Sequence, residues 1–232
     1  MQINDILPKE IDAIIFDLGG TLLHFDYPFI SAELQKVNFQ IPQDDFYLAV
    51  ARANHEVERQ MSLGLGATDH ARLPIFFNAL LRELNAPVDA EHFIHTTLIP
   101  RHTEVNLWNY VPAGTIDLLQ SLRKKYRLAM ISNSDGRAEQ KTIQFNLREH
   151  LEFVIDSHFV GVEKPKKEIF DMACEKLRVP ASKCVYVGDI YAIDVVGARN
   201  AGMSAILLDR TLPQKNDCLV IKSVFDLPKF LL

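Results

Sequence analysis

The sequence predicts an α/β protein, a doubly wound parallel sheet with an all-helical domain inserted into it. Three observations carry this expectation. Short apolar runs, Ala13-Ile14-Ile15-Phe16, Leu128-Ala129-Met130-Ile131 and Val185-Tyr186-Val187, each stop abruptly at polar or glycine residues, as buried strands do. Helix-length amphipathic segments separate the later runs, and that alternation builds a parallel sheet. The stretch from His24 to Trp108 contains no strand-like run, only segments with helical spacing.

The elements follow in order. The first strand ends at Asp17, and Gly19-Gly20 marks a sharp exit. In the insert, Asp44 and Asp45 precede Phe46, Val50, Ala53 and Val57, which recur near helical spacing. Ser62-Leu63-Gly64-Leu65-Gly66 breaks that helix. Asp69 then precedes Leu73, Phe76, Phe77, Leu80, Leu81 and Leu84, a wide apolar face, and Ala86-Pro87 ends it. Ala90 to Leu98 is a further candidate helix. Beyond Trp108, Thr115 to Lys125 reads as a helix leading into the Leu128 strand. Phe153-Val154-Ile155 is a short strand, and Glu168 to Leu177 a helix after Lys164-Pro165. A helix from Asp194 to Ala201 ends at Gly202. Ala205-Ile206-Leu207-Leu208 and Cys218-Leu219-Val220-Ile221 complete the strands. The expected division is a core of residues 1–23 and 109–232 and an insert of residues 24–108.

Composition narrows the function. At 232 residues, 48% hydrophobic and 24% charged, the chain has the make-up of a globular protein. A net charge of −5 without a basic block argues against a nucleic-acid partner. No apolar run is long enough to span a bilayer, so no membrane association is expected. The start, Met1-Gln2-Ile3-Asn4-Asp5, lacks a signal-peptide pattern. Cys174, Cys184 and Cys218 are odd in number and widely spaced, which indicates neither a disulfide framework nor a zinc site. A reducing cytoplasm is the expected location. G-x-G-x-x-G is absent, so dinucleotide binding has no support.

Chemistry concentrates where strands end. A carboxylate at the carboxyl end of a strand in an α/β protein stands where ligands bind. Asp17 there is a metal ligand, a nucleophile, or both. The second strand ends in Ser132-Asn133-Ser134-Asp135-Gly136. Val162-Glu163 leads into Lys164-Pro165. Val185-Tyr186-Val187 ends in Gly188-Asp189, with Asp194 five residues on. In a parallel sheet these ends converge on one edge. Clustered carboxylates repel unless a cation sits among them, and Asp17, Asp189 and Asp194 supply only oxygen, which suits Mg²⁺.

In order along the chain, Asp17-Leu18-Gly19-Gly20-Thr21, Ser132-Asn133, Lys164-Pro165 and Gly188-Asp189 with Asp194 resemble the four motifs of the haloacid dehalogenase superfamily. The resemblance covers about residues 10–23 and 110–230, with Pro112-Ala113-Gly114 similar to the family's return into its core. It implies a Rossmannoid core and, for residues 24–108, a helical cap of the C1 type. It implies that Asp17 is the nucleophile, forming an aspartyl-phosphate on a small phosphorylated metabolite. Mg²⁺ would be held by Asp17, the Gly19 carbonyl, Asp189 and Asp194. Lys164 would neutralise charge at the nucleophile and phosphate. Ser132, Asn133 and Thr21 would meet the phosphate or order its loop.

One position departs from the family's phosphatases. Two residues after the nucleophile they carry a second Asp, the general acid and base; here Gly19 stands there. His24 and Asp26 are the nearest titratable residues. Related dehalogenases have a bulky aromatic at that position and need no metal, which Asp189 and Asp194 argue against. Phosphonatases have a small residue there and use a cap lysine; the only lysine between His24 and Trp108 is Lys36, read as a surface residue. A catalytically weak relative that binds metal and phosphate is the alternative that Gly19 favours. Arg52, Arg59, Arg72, His92 and His95 in the insert are read as facing water. The substrate has no signature in the sequence.

Overall fold

A computed structural model describes residues 7–213, 215 and 217–232. The first apolar run forms β1 (Ala13–Phe16), with all four residues buried. After β2 (His24–Phe25) come α1 (Tyr27–Gln35), α2 (Gln43–Ser62), α3 (Asp69–Glu83), α4 (Ala90–Phe93) and α5 (Ile99–Val105), the last two joined by a π-helical turn, Ile94–Leu98; β3 (Trp108–Tyr110) follows. The remainder is α6 (Thr115–Arg123), β4 (Arg127–Ser132), α7 (Ala138–Gln144), β5 (Val154–Asp156), α8 (Ser157–Val160), α9 (Lys167–Leu177), β6 (Cys184–Gly188), α10 (Val196–Asn200), β7 (Ser204–Leu208), β8 (Leu219–Ile221) and α11 (Pro228–Leu231).

Two compact units result. One runs up to Leu22 and resumes with Val111–Leu232; the other is Leu23–Tyr110. In the first, six strands form a sheet in the order β5-β4-β1-β6-β7-β8, every pair parallel. The α/β class expected from the alternation of runs is the class found. From β1 the chain winds outward through β4 and β5, then returns to the other side of β1 for β6, β7 and β8. The reversal at β1 is the switch point where ligands bind in such sheets. Phe16 lies level with both Met130 and Val187, so the chain leaves β1, β4 and β6 within a few residues of one another.

Inner strands are apolar throughout because helices cover the sheet. Ile15, Ala129, Ile131 and Tyr186 join Ile169, Phe170, Ala173, Val195 and Ala198 in one core cluster that includes α9 and α10. Leu118, Leu119 and Leu122 of α6 are buried as well.

The second unit builds its own core from Phe25, Ile30, Leu34, Phe46, Phe76, Phe77, Leu80, Leu98 and Leu107. It is helical except for an antiparallel ribbon of β2 and β3, too short to leave a period-two pattern in the sequence. Helix α1 was not expected either; its signals are Asp26, whose carboxylate accepts from Phe29 N at 3.2 Å, and Pro28 in the first turn. Asp26 is thereby a helix cap. Arg72 corrects an expectation: it does not face water but is 5% exposed. Its guanidinium donates to the carbonyls of Gly66 at 3.2 Å and Ala67 at 3.5 Å, and pairs with Asp69 at 3.4 Å. It closes the glycine-bearing loop before α3. Arg52, Arg59, His92 and His95 are exposed, and Lys36 pairs with Glu33 at the surface. Among the described residues no helix is long and apolar enough to cross a membrane.

Candidate active site

Asp17 continues β1 by one residue, its N–H donating to the Val187 carbonyl at 2.8 Å. That bond fixes the carboxylate at the carboxyl edge of the central strand. Beyond it the chain turns through Gly20 at φ +83°, a conformation that disfavours any side chain. A methyl group there would also overlap the Asp189 carboxylate, which lies directly against the turn. Gly19 has no such positive φ; the second glycine, not the first, is demanded by the backbone.

Asp189 follows β6. Gly188 before it leaves room for the Asp194 side chain, which any Cβ would overlap. Asp194 lies in a π-helical turn, Tyr191–Val195, ahead of α10 rather than at the start of a regular helix; such insertions concentrate at functional sites. Its Oδ2 accepts from the N–H groups of Asp189 at 3.2 Å and Ile190 at 3.0 Å. Asp17, Asp189 and Asp194 each bring a carboxylate oxygen within 4.8 Å of the others.

Lys164 stands among them. Its Nζ is 2.5 Å from Asp17 Oδ1 and 2.7 Å from Asp194 Oδ1, and donates to the Tyr186 hydroxyl at 2.9 Å. All four groups are buried. Lys164 is joined to Pro165 by a cis peptide bond. Asn133 grips its backbone from both sides: Lys164 N donates to Asn133 Oδ1 at 2.8 Å, and Asn133 Nδ2 donates to the Lys164 carbonyl at 3.0 Å. The Asn133 side chain is therefore engaged in holding Lys164.

Ser132 is buried at the end of β4, with a 3.4 Å contact to the Asn133 carbonyl. The loop after it is tied to Ser157, whose hydroxyl accepts from Ser134 N at 3.2 Å. Asp156, buried at the end of β5, accepts from Ala138 N and His158 N at 3.0 Å each. Thr21 is fully buried, and its Oγ1 has no hydrogen-bond partner among the described residues. His24 belongs to the helical unit, edge-on to Tyr47 at 5.2 Å between ring centres.

The electrostatics follow from burial. Burial pushes the Asp17 carboxyl up to about 7; Lys164 opposes the rise and Asp194 adds to it. Burial works against the Lys164 ammonium, but Asp17 and Asp194 outweigh it and hold the group well above its ordinary value. One ammonium among three carboxylates leaves excess negative charge in a buried place. Oxygen-only donors and a net deficit of positive charge fit a divalent cation such as Mg²⁺.

Tyr186 and the Asn133 clamp are the parts that sequence reasoning missed. Tyr186 sits inside an apolar run, and its one signal is a phenol at a position where the sheet should be buried on both faces.

The fold is that of an α/β protein with one parallel sheet whose strand edge carries an acidic, lysine-bridged cluster. The model of the haloacid dehalogenase-like hydrolase family matches residues 11–202, and the chain belongs to that family. It is 35% identical over 108 residues to haloacid dehalogenase-like hydrolase domain-containing protein 3 of Xenopus laevis, 47% of this chain and 44% of that protein. It is 28% identical over 137 residues to the glyceraldehyde 3-phosphate phosphatase of Pyrococcus abyssi, 59% of this chain and 58% of that one. The chain thus spans about half the length of these curated relatives. Among solved structures it is similar in fold to the putative HAD-hydrolase YfnB of Bacillus subtilis, bound to magnesium, at a TM-score of 0.64 and 20% identity, covering 96% of this chain and 99% of that one.

Proposed function

We propose that the protein is a Mg²⁺-dependent phosphatase that hydrolyses a small phosphorylated metabolite through an aspartyl-phosphate on Asp17. The observation that supports this most is the Lys164 ammonium, 2.5 Å from Asp17 and 2.7 Å from Asp194, inside the carboxylate cluster. A phosphatase relative acting on a phosphorylated triose supports the substrate class.

Asp17 attacks phosphorus, the ester bond to the alcohol breaks, and water then cleaves the acyl-phosphate to release phosphate. Mg²⁺, held by Asp17, Asp189 and the Gly19 carbonyl with Asp194 beside them, would shield the attacking carboxylate and polarise the phosphoryl oxygens. Lys164 keeps Asp17 oriented and adds positive charge for the incoming phosphoryl group. In this reading the buried hydroxyls of Ser132 and Thr21 donate to its oxygens. Asn133 acts on Lys164, and Asp194 on the loop that carries Asp189. Residues 24–108 serve as the helical C1-type cap of this reading, and the cytoplasm as its location.

Gly19 favours a second reading. With no carboxylate two residues after the nucleophile, neither the leaving alcohol nor the attacking water has the family's general acid or base, help worth on the order of 10²–10⁴-fold in rate. A weak relative that binds metal and phosphate would follow. A screen of phosphate monoesters with and without Mg²⁺, on the parent and Asp17→Asn, separates the two. Mg²⁺-dependent turnover lost in the variant supports the phosphatase. Mg²⁺ and phosphate binding without turnover supports the weak relative, and activity in excess chelator opposes both.

A further inference from the structure

Cys174 and Cys184 play no part in the proposed chemistry, yet their sulfurs lie 3.9 Å apart. Cys174 is on α9 and half-buried, while Cys184 opens β6 and is fully buried. Chance apolar packing would account for one buried cysteine, but the arrangement has the asymmetry of a redox pair, a half-buried residue with a fully buried one directly beside it. We propose that Cys174 and Cys184 form an oxidisable dithiol, with Cys174 reacting with hydroperoxides and Cys184 resolving the product to a disulfide.

The environments of the two sulfurs differ in the sense this requires. Contact with Cys184 holds the Cys174 thiol below its ordinary value; Lys167 assists, while burial, Asp171 and Glu175 oppose. Contact with Cys174 and burial hold the Cys184 thiol above its own. The thiolate is the nucleophile, so attack falls to Cys174, the less buried member. Cys184 directs its thiol at the Pro180 carbonyl, 3.6 Å away.

In the first step the Cys174 thiolate attacks one peroxide oxygen, the O–O bond breaks, and the other oxygen leaves as an alcohol or water after taking a proton. Cys174 becomes a sulfenic acid. In the second, Cys184 sulfur attacks Cys174 sulfur, the S–O bond breaks, and water leaves with the Cys184 proton. The two thiols together lose two electrons and the peroxide gains two. Bonding requires the sulfurs to approach to about 2.05 Å. Cys184 is the first residue of its strand, next to the 3₁₀ turn Ala181–Lys183, so the movement falls on a strand end rather than its middle. The bridge would tie α9, which starts just after Lys164-Pro165, to the strand that leads into Asp189.

Cys218 is the internal control: it is buried, and burial pushes its thiol up to about 12. The full chain is titrated with hydrogen peroxide while free thiols, intact mass and non-reduced peptide maps are followed. The expected result is loss of two of the three thiols, a mass lower by two hydrogens and a Cys174–Cys184 peptide, all reversed by dithiothreitol and unchanged in Cys218→Ala. Cys184→Ala should instead gain oxygen on Cys174, trapped by dimedone, and Cys174→Ser should leave Cys184 reduced. The peptide map of the parent decides the matter if a variant fails to fold. A bridge through Cys218, sulfinic acid on Cys174 of the parent without a bridge, or three surviving thiols at peroxide levels that oxidise free cysteine would overturn the proposal.

Discussion

Asp17→Asn should stabilise the metal-free protein, although it removes the residue on which the chemistry is centred. The Asp17 carboxyl has an ordinary value of 3.8 and is raised to about 7 by its buried position. That rise corresponds to a cost on the order of 4 kcal/mol for keeping it ionised in the folded state. The sign follows from proton linkage. Between pH 4 and 7 the folded protein holds a proton that the unfolded chain has released, so the parent loses stability as pH rises through that window. Well below pH 3.8 the carboxyl is neutral in both states and the loss vanishes, and at pH 4 it is already small. Lys164, held well above its ordinary value, stays charged throughout and adds no slope here. Asparagine has nearly the shape of the neutral acid and no charge to bury. The variant should therefore match the parent at pH 4 and exceed it by on the order of 4 kcal/mol at pH 8. For a protein of this size that is roughly 8–16 °C in melting temperature. The single tryptophan, Trp108, lies in the helical unit. Unfolding of the sheet is therefore best followed by hydrogen exchange at β1 and β6 amides in excess chelator. A variant no more stable than the parent at pH 8, or a gain of equal size at pH 4 and 8, would refute the assignment of the cost to buried charge. The same variant should lose all phosphatase turnover, because an amide forms no acyl-phosphate; turnover within a few-fold of the parent removes Asp17 as nucleophile.

Lys164→Met keeps the stem and deletes the charge between Asp17 and Asp194, so it should destabilise the chelated protein by about 3–5 kcal/mol at neutral pH, read by urea denaturation and reduced when combined with Asp17→Asn. Asp189→Ala should weaken Mg²⁺ binding in calorimetry; unchanged affinity would remove it from the metal site. Gly20→Ala meets both a positive φ and the Asp189 carboxylate, and should cost at least the ~1–2 kcal/mol of a left-handed non-glycine residue, measured by denaturation, with loss of turnover. Gly19→Asp adds a side chain where no positive φ forbids one, and should raise alkyl phosphate turnover by up to about 10²–10⁴-fold; unchanged rates on alkyl and aryl phosphates would mean another group already supplies the proton.

Much of this molecule was written locally. Each inner strand is an apolar run because both faces of a parallel sheet are covered, and Asp17, Ser132 and Asp189 stand at the ends of such runs, while Lys164 lies in the loop before α9, marked in the sequence only by Lys164-Pro165. The right-handed crossover rule then leaves little freedom in how the strands assemble. Helix α1 and the ribbon of β2 and β3 escaped because nine and two residues carry too little periodicity to register. Relations between residues far apart in the chain were beyond the sequence altogether. Lys164 is 147 residues from Asp17, and nothing in either neighbourhood says that the ammonium also reaches Asp194 and Tyr186. Asn133 is expected at the phosphate, and nothing near it in the sequence says that its side-chain amide holds the Lys164 backbone. Arg72 looked solvated, and is buried because its guanidinium meets the carbonyls of the loop before α3. Cys174 and Cys184 were odd cysteines in a list until a helix and a strand brought their sulfurs together. Periodicity reports which face of an element is buried; which side chains share a buried space is set by the packing of those faces, and that is decided only when the chain has folded.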